Sequence, residues 1–150
     1  NLDMTGYDYH DSDPTNGDAK DLAAGRVVGK ILETAALLNR PVFVYVCADG
    51  ATVSSETAGA ERVWVSDRGI AGMQYMFAFD PAGRPATTNF QIGGFTNSQA
   101  ADAEFPTGNS AEAAAQAIFA NYAVLNKRRD FLDANRILNA DILTQVLKFT

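Results

Sequence analysis

Ala24, Val28, Ile31, Ala35 and Leu38 recur at steps of three and four residues, which lays one apolar stripe along a helix. Asp18 predicts the N-cap of this helix, with Asp21 in the first turn facing the positive end of its dipole. Pro41 predicts the end at Asn39 and Arg40, because the residue before a proline is pushed out of the helical region. Gly25 and Gly29 weaken the helix, yet their four-residue spacing predicts close approach of a sheet or a second helix. Ahead of it, residues 1 to 17 are polar, and Asp11-Ser12-Asp13-Pro14 and Asn16-Gly17 carry turn chemistry.

The pattern changes at Pro41. Val42-Phe43-Val44-Tyr45-Val46-Cys47 is apolar without alternation, as expected of a strand covered on both faces in a parallel sheet. A helix followed directly by such a strand is half of a βαβ unit. Residues 48 to 59 are small and polar and read as a loop. Further strands are predicted at Arg62 to Ser66, at Gly72 to Phe79 and, with a glycine break, at Asn89 to Phe95. The last two would pair as a hairpin across the turn Asp80 to Pro85. Asn109 and Glu112 form a capping pair before an alanine-rich helix whose stripe is Ala114, Ala117, Ile118, Tyr122 and Leu125. Lys127, Arg128 and Arg129 follow at its C-terminal end, where the dipole favours cations, and a last helix is predicted near Ile137 to Lys148. The fold class expected is therefore α/β: a mostly parallel sheet flanked by helices, as part of a larger three-layer domain. The 150 residues read as one domain or the C-terminal portion of one. Residues 1–17 form an acidic loop segment, 18–109 the α/β core and 110–150 the C-terminal helices. A start at Asn1 reads as a fragment or a mature product.

Charge narrows the partners. The net charge is −6 with a sequence pI near 4.6, so the chain repels phosphate backbones and anionic lipid, and neither nucleic acid nor a membrane surface is expected as a partner. No apolar run approaches the length needed to span a bilayer. A single cysteine, Cys47, excludes an internal disulfide and, at the end of an apolar strand, reads as core.

In open α/β sheets, ligands bind beyond the carboxyl ends of the strands. Three polar groups fall there on this reading: Tyr7 to Asp11 before the long helix, Ala48-Asp49-Gly50 after the first strand, and Ser66-Asp67-Arg68-Gly69 after the second. Carboxylates and an imidazole converging at strand ends suit a divalent metal. Taken singly, an aspartate after a strand more often forms a turn, and a lone histidine beside tyrosines more often packs. The acidic stretch from Asp8 to Asp18 suits calcium, but it lacks the glycine placement and the final glutamate of an EF-hand loop. No GxSxG elbow is present, and Gly93-Gly94 matches neither the dinucleotide nor the phosphate-loop fingerprint.

Gly6-Tyr7-Asp8-Tyr9-His10-Asp11, the long helix, and Pro41 to Gly50 together resemble the C-terminal half of the alkaline-phosphatase and sulfatase superfamily. Within it they are closest to a branch of exported bacterial proteins of unknown function. Ser66 to Gly69, Met73 to Phe79 and Asn89 to Phe95 continue the resemblance, which covers roughly residues 6 to 100. It implies a two-metal phosphoryl or sulfuryl hydrolase in a periplasmic or secreted setting. Asp8 and His10 match the first ligand pair, Asp49 the acidic ligand after the strand, and Asp67 the later aspartate. A divalent metal is the cofactor expected, zinc or manganese at these ligands or calcium at the acidic first segment, and none where the ligand set is eroded. Gly50 and Arg68 stand where the family has histidines, and a guanidinium cannot bind a cation. Arg68 suits an anion instead. The family's nucleophile lies in an upstream half absent from this sequence.

Three functions follow. The first is a degenerate phosphatase-like domain kept as an exported binding or structural module, inactive as this chain alone. The second is a metal-dependent phosphoester or sulfoester hydrolase completed by a second chain or a missing N-terminal segment. The third is a homo-oligomeric subunit of an extracellular filament or surface assembly.

Overall fold

A computed structural model describes residues 1–7, 14–47, 53–55, 63–65, 74–94, 96, 101–108, 110–135, 138 and 140–149. The element order is α1 (Pro14–Leu37), β1 (Val42–Val46), β2 (Val53–Ser55), β3 (Val63–Val65), β4 (Tyr75–Phe79), α2 (Ala111–Leu125), α3 (Arg129–Asn135) and α4 (Ala140–Val146). α1 begins four residues before the Asp18 cap read from the sequence. Proline has a fixed backbone angle and no N–H to leave unbonded, so it suits a first helical position, and Asp18 and Asp21 lie inside the helix. The end falls where Pro41 placed it. Asn39 takes a left-handed φ of 51°, its N–H donates to Ala36 O at 3.1 Å, and Arg40 N–H donates to Ala35 O at 2.9 Å. This pair of bonds satisfies carbonyls that a bare helix end would leave open.

The sheet overturns the parallel architecture. β1 pairs with β4 antiparallel, with Val42 opposite Phe79 and Val46 opposite Tyr75. β2 and β3 form a second antiparallel pair, so among the described residues each sheet has two strands and neither is parallel. An unbroken apolar run reports that both faces of a strand are covered, not which way its neighbour runs. β1 is only partly covered, with none of its residues buried and Tyr45 exposed, and it has no parallel partner among the described residues. Val42 lies against α1, whereas the Phe43 ring lies 5.2 Å from that of Tyr122 on α2. The parity continues across the register, so Phe77 and Tyr75 share the Val42 face and Met76 and Ala78 share the Phe43 face.

Two further expectations are corrected. β2 occupies part of the stretch read as a loop. The strand expected over Asn89 to Phe95, and its hairpin with β4, are not formed among the described residues. There Asn89 Oδ1 accepts Gln91 N–H at 3.2 Å, and Gln91 Nε2 donates to Gly93 O at 2.7 Å. Side chains that bond their own backbone take the groups a ladder would need. Gly94 then passes so close to Phe105 that a Cβ there would clash with the ring, and Gly94 O accepts Asp102 N–H.

The C-terminal helices pack through small residues. Ala120, Ala123, Leu132 and Leu143 form a buried cluster, with Val124, Leu138 and Leu147 packed around it. The alanines let α3 and α4 approach α2 closely, and each buried leucine contributes about 1.5–3 kcal/mol of burial. Ser110, not Asn109, caps α2, its Oγ accepting Ala113 N–H at 3.1 Å, and Glu112 bonds Gln116. The basic cluster is divided between elements: Lys127 follows the end of α2 with a φ of 57°, and Arg129 opens α3. Among the described residues, no helix is long and apolar enough to cross a membrane.

Candidate functional site

Asp8, His10, Asp49 and Asp67, the four metal ligands expected from the sequence, and Arg68, the anion-binding residue, all lie outside the described residues. The rule that would have gathered them does not carry over. In an antiparallel pair the carboxyl end of β1 stands beside the amino end of β4, so one sheet edge no longer collects every strand's C-terminal loop. Among the described residues, no three His, Cys, Asp or Glu side chains gather closely enough to hold a metal ion.

The described end of β1 is polar. The Tyr45 hydroxyl donates to Gln74 Oε1 at 2.6 Å, and Gln74 Nε2 reaches Ala111 O at 3.4 Å, tying sheet to helix α2. Burial pushes the Tyr45 phenol above its ordinary range, and the neighbouring Cys47 thiol, by its charge when ionised and by a hydrogen bond, pushes it further. Cys47 itself is an exposed free thiol rather than a core residue, because β1 ends at Val46.

A run of ring contacts links β1 to the C-terminal helices. From β1 the rings run Phe43, Tyr122, Phe119, Phe131, at centroid separations of 5.2, 6.5 and 6.1 Å. Phe119 and Tyr122 are three apart on α2 and share its outward face, while the turn after Lys127 brings Phe131 alongside. Phe119 and Phe131 meet edge to face at 72°, a favourable arrangement for ring quadrupoles. Arg128 lies 5.9 Å from the centre of the Phe131 ring, and its Nε is 3.3 Å from Asp130 Oδ1. Phe119, Tyr122 and Phe131 remain 41%, 44% and 38% exposed.

The sequence placed Tyr122 in the buried stripe of α2. The buried residues are Ala117, Ile118, Ala120, Asn121 and Ala123, so the inward face is set by alanines at close spacing and by one asparagine. The signal for the aromatic face was the i, i+3 pair Phe119 and Tyr122 on a helix otherwise rich in alanine.

On the opposite side of the sheet, α1 and β1 enclose an open groove of about 420 Å³. Val27, Ile31, Ala35, Leu38, Pro41 and Val42 supply its apolar wall, and Lys30 and Arg40 are its charged residues.

Comparison with protein-family models, with curated proteins and with solved structures returns no match.

Proposed function

We propose that this chain is a binding or structural module that joins a second copy of itself through the aromatic face of α2 and α3, not a hydrolase acting alone. The run of half-exposed rings from Phe43 to Phe131 carries the reading. Aromatic residues and arginine are the types enriched where proteins meet, and hot spots on one partner pair with hot spots on the other. Each ring is already held by its neighbour, so docking orders little that is free. A two-fold interface needs a patch that complements itself, and this one offers both ring faces and ring edges, with Arg128 beside Asp130 at its margin. The resemblance to an exported family adds a periplasmic or secreted setting to the proposal.

Sedimentation velocity across a wide concentration range tests it. The chain should associate as concentration rises, and Phe119→Asp should leave it monomeric while its circular dichroism is unchanged. A chain that stays monomeric at the highest attainable concentration ends the reading. Metal-dependent hydrolysis of phosphate or sulfate esters, abolished by Asp49→Asn, would put a metallohydrolase in its place.

A further inference from the structure

We propose that the groove between α1 and β1 docks an acidic amphipathic helix of a partner protein. Val27, Ile31, Ala35 and Leu38 line it at steps of four, four and three residues, with Pro41 and Val42 forming the opposite wall. By helical rise, Val27 to Leu37 spans about 15 Å, which matches three turns of an incoming helix that places apolar anchors on one stripe. The groove is open to solvent, so it suits a helix that keeps one face in water.

Charge selects the partner. The chain as a whole is acidic, at −6, yet among the described residues the charged ones lining the groove are Lys30 and Arg40. Neither side chain has a hydrogen bond or ion pair among the described residues, and both are exposed. Arg40 N–H is bonded to Ala35 O, which fixes its backbone at the end of α1. Lys30 lies seven residues before Leu37, the last residue of α1, roughly 10 Å along the axis from that end. Two cations set that far apart match two carboxylates two turns apart on a helix better than one carboxylate on a lipid. Leu38, 66% exposed at the same end, supplies an apolar anchor for the partner. This face lies across the sheet from the aromatic surface, so the two proposals stand or fall separately.

The probe is a fluorescein-labelled helical peptide with leucines on one stripe and two glutamates two turns apart beside it, paired with a version bearing lysines instead. Fluorescence anisotropy should show saturable binding of the glutamate peptide that weakens as salt rises. Lys30→Glu and Arg40→Glu should each weaken it about two- to fivefold. The double charge reversal should reverse the preference toward the lysine peptide. Leu38→Asp should abolish binding, and since all three positions are exposed, circular dichroism should not change. Absence of saturable binding, or binding indifferent to both charge reversals, overturns the proposal. Dodecanoate binding weakened by both reversals, without peptide binding, would assign the groove to a lipid carboxylate and also overturn it. Loss of self-association in Leu38→Asp would assign it to a second copy, with the same effect.

Discussion

The side-chain carbonyl of Asn121 accepts the backbone N–H of Lys148 at 2.7 Å, which holds the C-terminal segment against α2. The same oxygen accepts Phe149 N–H at 3.3 Å, and Nδ2 donates to Ala117 O at 2.8 Å and Val146 O at 2.9 Å. Asn121 is fully buried, and three of the four contacts are buried with it, the one to Phe149 being partly buried. The tail it holds is itself a partner for residues beyond β4: Lys148 O accepts Thr88 N–H, and Phe149 forms a bridge with Thr87. One amide thus links α2, the tail and the segment after the sheet. Asn121→Ala leaves several backbone groups without partners, and each buried unsatisfied group costs about 1–3 kcal/mol. Urea unfolding should show a loss of about 2–3 kcal/mol, moderated where Phe149 is reached by water. A loss below about 0.5 kcal/mol, the range of a neutral surface change, would show that the tail does not depend on this amide.

α2 ends as α1 does, with a left-handed residue after the cap. Lys127 N–H donates to Val124 O and Arg128 N–H to Ala123 O, while Lys127 itself has a φ of 57°. A lysine at that angle carries a Cβ penalty of about 1–2 kcal/mol that glycine lacks. Lys127→Gly should raise the stability by about 0.5–1 kcal/mol, less than the full penalty because glycine costs more chain entropy and a helix-end cation is lost. Asn39→Gly should gain less, since asparagine tolerates this region. Thermal unfolding of both variants gives the order. A stability gain at Asn39 larger than at Lys127 would contradict it.

The elements were more legible than their arrangement. Periodicity placed α1, and Pro41 placed its end, because both depend on local sterics. Val63 to Val65 and Tyr75 to Phe79 formed strands inside the stretches expected to be strands. Strand direction was not legible: β1 has the apolar run of a covered strand, and that run is the same whether β4 lies parallel or antiparallel to it. Nor was α3, since Arg129 read as the close of one helix and not the start of another. The inward face of α2 was masked because Tyr122 counted as apolar, whereas the buried polar residue was Asn121, which only the tail's hydrogen bonds explain. The aromatic face depended on a turn at Lys127 bringing Phe131 to Phe119, a tertiary contact that spacing within α2 does not contain.

The spacing of Gly25 and Gly29 predicts a close neighbour, but a Cβ at either position would meet nothing within 4 Å among the described residues. Both are exposed positions inside α1. Glycine in a helix interior costs about 0.5–1 kcal/mol relative to alanine through backbone entropy, and no contact among the described residues offsets it here. Gly25→Ala and Gly29→Ala should each raise the stability by that amount, and at four residues apart on an open face their effects should add. A loss of stability at either site would mean that a neighbour does pack there.

The Tyr45 hydroxyl offers a test by pH. Its pKa is raised first by burial, then by Cys47, while Tyr7 is raised by burial and by the charge of Asp21. A raised folded pKa means the folded chain holds the proton more tightly than the unfolded one. The associated stability is fully present below about pH 10, the unfolded phenol value, and is lost as pH rises through the higher folded values. Following tyrosinate absorbance, the folded chain should ionise its last phenols above that of free tyrosine, and Tyr45→Phe should remove part of this late step. Cys47→Ser should lower the Tyr45 value without restoring the ordinary one, because burial, the larger cause, stays. Full restoration in Cys47→Ser would reverse the ranking of the two causes. An unchanged late step in Tyr45→Phe would show that the Tyr45 phenol is not one of those held back.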